Sequence, residues 1–144
     1  MSALQALTPR EASIFACLTD TIVAPARPLP AVSRTDAVAS FDRWLSMSPR
    51  LNRLGLRALL HACELAPRLL GSPDRLRRLS AEGRARALDR AQRSGAVGAG
   101  LVKVVEGLAF LSYYGDDGVM RRLGYDADAN VARGRALRAR EGRP

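Results

Sequence analysis

The sequence predicts an all-α fold, and three observations carry that prediction. No stretch alternates apolar and polar residues with a period of two, and Val and Ile are scattered singly among Leu and Ala. Apolar residues recur instead at i, i+3, i+4 and i+7 along much of the chain. Helix-start and helix-stop residues punctuate these runs at helix-length intervals. With 144 residues the chain fits one domain and can bury a core of its own. We expect a single helical domain of about six or seven helices over residues 1–125, with a Pro-rich connector, then a basic tail over 126–144.

Taken in order, Thr8-Pro9-Arg10-Glu11 is a capping box with proline at the first helical position. It opens a helix whose Ile14, Phe15, Leu18 and Ile22 share one face. Pro25, Pro28 and Pro30 forbid helix, so residues 24–32 should run extended as a stiff connector. Thr35 or Ser33 is expected to cap the next helix, where Val38, Phe41 and Leu45 align and Trp44 lies alongside. Ser48-Pro49 repeats the start signal. The third helix then sets Arg50, Arg53, Arg57, His61, Glu64 and Arg68 in a polar stripe, with Leu51, Leu54, Ala58, Leu59 and Ala62 as the expected core face. Pro67 kinks or ends it. Ser72-Pro73-Asp74 should start a short helix anchored by Leu76 and Leu79, and Ser80 another that ends near Ser94-Gly95. Beyond Tyr125, the tail with Arg133, Arg135, Arg138 and Arg140 has little apolar content and is expected to be loosely helical or to order only on a partner.

The longest apolar run spans residues 97–114 and reads as one helix. Leu101, Val104, Val105, Leu108, Leu111 and Ser112 form one face; Gly107, Phe110 and Tyr114 form a second. Apolar residues on more than one side imply burial by several neighbours or by a partner chain. Lys103 and Glu106 interrupt the run, so a membrane span is not expected. Gly115 should close this helix in the left-handed conformation. Asp116-Asp117-Gly118 then opens a short helix carrying Val119, Met120 and Leu123, closed by Gly124. The tyrosines here fit two roles: capping a core with their hydroxyls at the surface, or forming an aromatic contact patch for a partner.

The formal charge of +9 is carried by 22 Arg and a single Lys103, a bias of the kind a GC-rich genome produces. A small basic helical module contacting nucleic acid is one function class this allows, with Arg50, Arg53 and Arg57 as candidate contacts. The aromatics, however, lie apart from the arginine clusters, whereas single-strand binders interleave the two. The same surface would suit an acidic protein partner. Cys17 and Cys63 stand alone without a CxxC and are expected to be free thiols. His61, the only histidine, has no ligand-spaced neighbours for zinc, and Glu64 three residues on is expected to give it a surface pair. GxSxG, HExxH, P-loop and strand-associated GxGxxG motifs are all missing, so a self-contained enzyme is the least supported class. No catalytic, cofactor-binding or metal-binding residue is assigned. The N-terminal residues lack a basic segment followed by an apolar core, and a twin-arginine pair, from which a cytoplasmic location is expected unless the chain is exported bound to a partner.

The L-T-P-x-E start at Leu7–Glu11, the Pro-rich break after Ile22-Val23 and the run LVKVVEGLAFLSYYGDDGVMRRLGY over residues 101–125 together resemble the gluconate 2-dehydrogenase subunit 3 family. Its late pattern of paired tyrosines, a small residue, Asp, Val and Leu-Gly-Tyr is matched by Tyr113, Tyr114, Asp116, Val119, Leu123, Gly124 and Tyr125. The resemblance is loose over most of the chain and close over its late segment. It implies a small helical accessory subunit without catalytic residues, bound to a flavoprotein large subunit of the glucose-methanol-choline type that holds FAD. Phe110, Tyr113, Tyr114, Asp116, Leu123, Gly124 and Tyr125 are the interface residues this implies. Many family members carry a twin-arginine export signal that is not seen here, and the Arg-rich segment over 75–93 matches no part of the family pattern.

Overall fold

In the computed structural model, which describes residues 4–142, the first helix begins as its capping box dictates. Thr8 Oγ1 accepts the Glu11 N–H at 3.3 Å, and Glu11 Oε2 accepts the Thr8 N–H at 2.8 Å. Such a cap contributes about 1 kcal/mol. The helix, α1 (Pro9–Val23), turns Ile14, Phe15 and Leu18 into the core and ends at Ala24, which takes a left-handed φ of 43°. The three prolines then keep the chain out of helix until a 3-10 turn at Val32–Arg34 that no sequence signal announced.

α2 (Ala37–Met47) stacks Phe41 on Phe15 with ring centroids 4.0 Å apart and buries Leu45. Asp36 rather than Thr35 or Ser33 stands at its N-cap, though Thr35 Oγ1 accepts the Ala37 N–H at 3.4 Å. Ser48 ends α2, its hydroxyl donating to the Trp44 carbonyl, and does not open the next helix. α3 (Arg50–Leu69) follows Pro49 and ends two residues past Pro67. The Ser72-Pro73-Asp74 start yields only a 3-10 turn at Leu76–Arg78, since Ser80 already caps α4 (Ala81–Arg93) by accepting the Gly83 N–H. Leu76 is nevertheless buried as expected of an anchor.

α5 (Ala96–Tyr114) is the central element and packs against α1, α2 and α4. By length and composition alone it could cross a membrane, and only 22% of its apolar stretch is buried within the fold, so most of its apolar surface lies outside the core. Gly115 is right-handed at φ −78°, not left-handed as expected; a Cβ there would lie 2.6 Å from the Leu111 carbonyl oxygen, which is the reason for glycine. Asp116 caps α6 (Asp117–Arg122) by accepting the Val119 N–H, and Gly124 at φ 79° closes it. Asp126 caps α7 (Ala127–Arg140), so the tail is helical among the described residues. Among the described residues α7 supplies none to either apolar cluster described below, and Val131 and Leu137 are exposed. No strand occurs among the described residues.

Two buried clusters hold these elements. The larger joins Leu7, Ile14, Phe15, Leu18, Phe41, Leu45, Leu59, Leu60, Cys63, Leu76 and Val105. The smaller joins Val32, Ala37, Tyr113 and Val119, and ties the Pro-rich connector to the end of α5. The N-terminal segment is fastened by Asp42, whose buried carboxylate accepts N–H groups from Gln5, Ala6 and Leu7 at 2.7–3.0 Å.

Candidate partner-binding surface

The site follows from how α3 is rolled. Its arginine row was expected to face water, and Arg50 and Arg68 do, but buried Glu11 draws the middle of the row toward α1, and Glu64 of the row is itself buried. Glu11, 1% exposed, accepts Arg57 Nε at 2.8 Å and lies 3.2 Å from His61 Nε2. Burial alone would raise its pKa; hydrogen bonds from Arg57 and Thr8 outweigh that and hold the carboxyl at about 2. Glu64, also buried, is bound by the Arg77 side chain at 3.0 Å and by the Arg77 N–H at 3.3 Å. His61 therefore pairs with Glu11 of α1, and the expected surface pair with Glu64 does not form. A carboxylate taken out of water needs a cation or several N–H donors, and for Glu11 α3 supplies the cation, Arg57.

The consequence is that α3 is rolled away from the expected core face. Of the expected core residues only Leu59 is buried; the true inward row is Leu56, Leu59, Leu60, Cys63, Glu64 and Pro67. Leu51, Leu54 and Leu69 are 80%, 63% and 83% exposed, and Ala58, Ala62 and Leu65 are exposed with them. These residues fall on one side of the helix. An apolar stripe thus runs the length of α3 in contact with water.

α5 presents a matching stripe. Its buried face is Val102, Val105, Ala109, Ser112 and Tyr113, so Leu101, Val104 and Leu111, expected to share a face with Val105 and Ser112, lie on the exposed side with Val97. Between the two stripes is an apolar groove of about 310 Å³. Leu59, Ala62, Ala66 and Leu69 line it from α3, Ala87, Leu88 and Ala91 from α4, and Val97, Leu101 and Val102 from α5. Cys63 lies on its wall; burial pushes that thiol up to about 11, so it stays protonated and poorly nucleophilic near neutrality. Cys17 is shifted upward by burial as well, and both cysteines are free. Among the described residues no group of His, Cys, Asp and Glu side chains could hold a metal ion.

The interface residues implied by the late sequence pattern divide into two kinds. Tyr113 is fully buried, its hydroxyl donating to the Pro30 carbonyl at 2.6 Å and its ring edge-on to Tyr114 at 5.2 Å. It is a core residue and presents no surface to a partner in this fold, because the connector needs a donor for the Pro30 carbonyl. Asp116 is half-buried, spent on capping α6 and on accepting the Asp36 N–H at 2.8 Å. Phe110, Tyr114, Leu123, Gly124 and Tyr125 are exposed, and Phe110 and Tyr114 lie with ring centroids 6.1 Å apart on the second apolar face of α5. Leu51, Leu54, Leu65 and Leu69 are the surface residues that sequence patterning assigned wrongly or passed over. The signal that could have found them is long-range, the pairing of a capping-box Glu with Arg57.

The arginines outside this surface are partly engaged. Arg57, Arg77 and Arg84 bind Glu11, Glu64 and Asp20 respectively. Arg10, Arg75, Arg77 and Arg78 gather around Glu64 on another side of the molecule. No protein-family model, curated protein or solved structure matches the chain.

Proposed function

We propose that this chain is a non-catalytic subunit that docks, through the exposed apolar surface of α3 and α5, onto the FAD-containing large subunit of a glucose-methanol-choline-type alcohol or sugar dehydrogenase. The observation that carries the docking half is the pair of exposed leucine-rich stripes with an apolar groove between them. Large contiguous apolar surface is seldom left uncovered on soluble monomers, and such surface marks interaction sites. The flavoprotein half rests on the resemblance carried by Tyr113, Tyr114, Asp116, Val119 and Leu123–Tyr125. On this reading FAD and the chemistry belong to the partner, and this chain contributes stability and shape.

The test is affinity purification of the tagged chain from its native cells, read by flavin absorbance and co-eluting mass. A stoichiometric flavoprotein is the expected result. An eluate without flavin would overturn the flavoprotein half. Nucleic acid released by salt would favour instead a polyanion-binding module, whose support is the basic cluster of Arg10, Arg75 and Arg78.

A further inference from the structure

We infer that the groove between α3, α4 and α5 receives an amphipathic α-helix of the partner, one whose apolar row is flanked by acidic residues. This rests on the reading of the chain as a binding subunit but not on the partner being a flavoprotein.

Shape argues for a helix. From Leu59 to Leu69 the α3 wall is about 15 Å long, or nearly three helical turns at 1.5 Å per residue. That length accepts anchors at i, i+3 or i+4, and i+7, the spacing by which an amphipathic helix lies in a groove. A small ligand would need convergent polar groups to orient it. The lining offers almost none: Ser94 Oγ already donates to the Ala91 carbonyl, and the Cys63 thiol is neutral. A bilayer suits a convex apolar face better than a slot between helices.

Charge argues for an acidic occupant. Beside the groove, sharing Pro67, Leu70 and Ala87 with it, is a second recess lined by Arg86 and Arg90. Arg86 meets Glu82 only at 3.8 Å with both side chains largely exposed, a contact easily exchanged for a partner carboxylate. Arg90 donates to the Leu70 carbonyl from α4, which holds it at the groove's edge. The same charges argue against a second copy, because two chains of formal charge +9 would bring like-charged flanks together. They exclude α7 of this chain too: it is itself Arg-rich, and Val131 and Leu137, six residues apart, lie on different faces.

The test uses two synthetic helical peptides of about 18 residues, five turns, with identical leucine rows. One carries Glu in its flanks and the other Lys, and each is titrated into the full-length protein by fluorescence anisotropy. The acidic peptide should bind one to one, at least tenfold tighter than the basic one. The double variant Leu69→Glu/Leu101→Glu should weaken it at least tenfold with unchanged helical circular dichroism. Leu137→Glu on α7, adding one negative charge away from the groove, should not. Equal binding of both peptides, binding untouched by the groove variant, or no binding of the acidic peptide would each overturn the inference. So would groove-dependent binding to phosphatidylglycerol vesicles in place of the peptide. A flavoprotein that co-purifies equally with wild type and groove variant would sink this inference and the docking half of the proposed function while leaving the flavoprotein half in place.

Discussion

Replacing Glu11 with Gln should cost about 2 kcal/mol of stability at pH 7 and far less in acid. The folded carboxyl titrates at about 2 against an ordinary value of 4.5. At about 1.36 kcal/mol per tenfold change in affinity for the proton, that gap corresponds to about 3 kcal/mol. Arg57 is 35% exposed, however, and water screens part of its attraction, which brings the figure to about 2 kcal/mol. The sign follows from the direction of the gap. A carboxyl that is more acidic when folded stabilises the fold fully above pH 4.5, and that contribution is lost as pH falls through about 2. Urea denaturation of wild type and Glu11→Gln at pH 7, 4 and 3 measures this. The deficit should be largest at pH 7 and shrink steadily below pH 4.5, with a melting temperature lower by roughly 6–8 °C at neutrality. An equal deficit at pH 3 and pH 7 would refute the charge-based account of α3's orientation, as would a deficit below about 0.5 kcal/mol.

Further outcomes follow from other buried groups. Tyr113→Phe should cost about 1–2 kcal/mol by stranding the Pro30 carbonyl, and Tyr113→Ala about 3–5 kcal/mol. Tyr114→Ala, at an exposed position, should cost less than about 1 kcal/mol; thermal melts of the three variants check the ranking. Asp42→Ala removes the acceptor for three N–H groups and should cost about 3 kcal/mol, with faster hydrogen exchange at Gln5–Leu7 as the local readout. The Cys63 thiol, shifted up to about 11, should react with a thiol reagent at pH 8 only after denaturant is added.

Local chemistry made much of this fold legible. The Thr8–Glu11 capping box, the Ser80 cap and the Gly124 stop each act within one helical turn, and each was found where its residues stand. The face of α3 was not legible, because helical periodicity reports two faces without saying which one the tertiary structure buries. Glu11 and Glu64 decided it, through partners 46 and 13 residues away in sequence. Gly115 looked like a left-handed cap, and only the closeness of the Leu111 carbonyl reveals its actual constraint. Tyr113 and Tyr114 are adjacent and chemically identical, yet one is core and the other surface. A helix places successive side chains about 100° apart, and the acceptor on Pro30 selects which tyrosine turns inward.

That the exposed stripes of α3 and α5 are the docking surface is tested most directly by a side-by-side purification from native cells. Wild type, Leu69→Glu/Leu101→Glu and Leu137→Glu would each be captured by the same tag and the eluates compared for flavin absorbance per mole of chain. Wild type and Leu137→Glu should retain the flavoprotein in equal proportion, and the stripe variant should lose it while remaining folded. Full retention by the stripe variant would contradict the account, placing the contact elsewhere on the molecule.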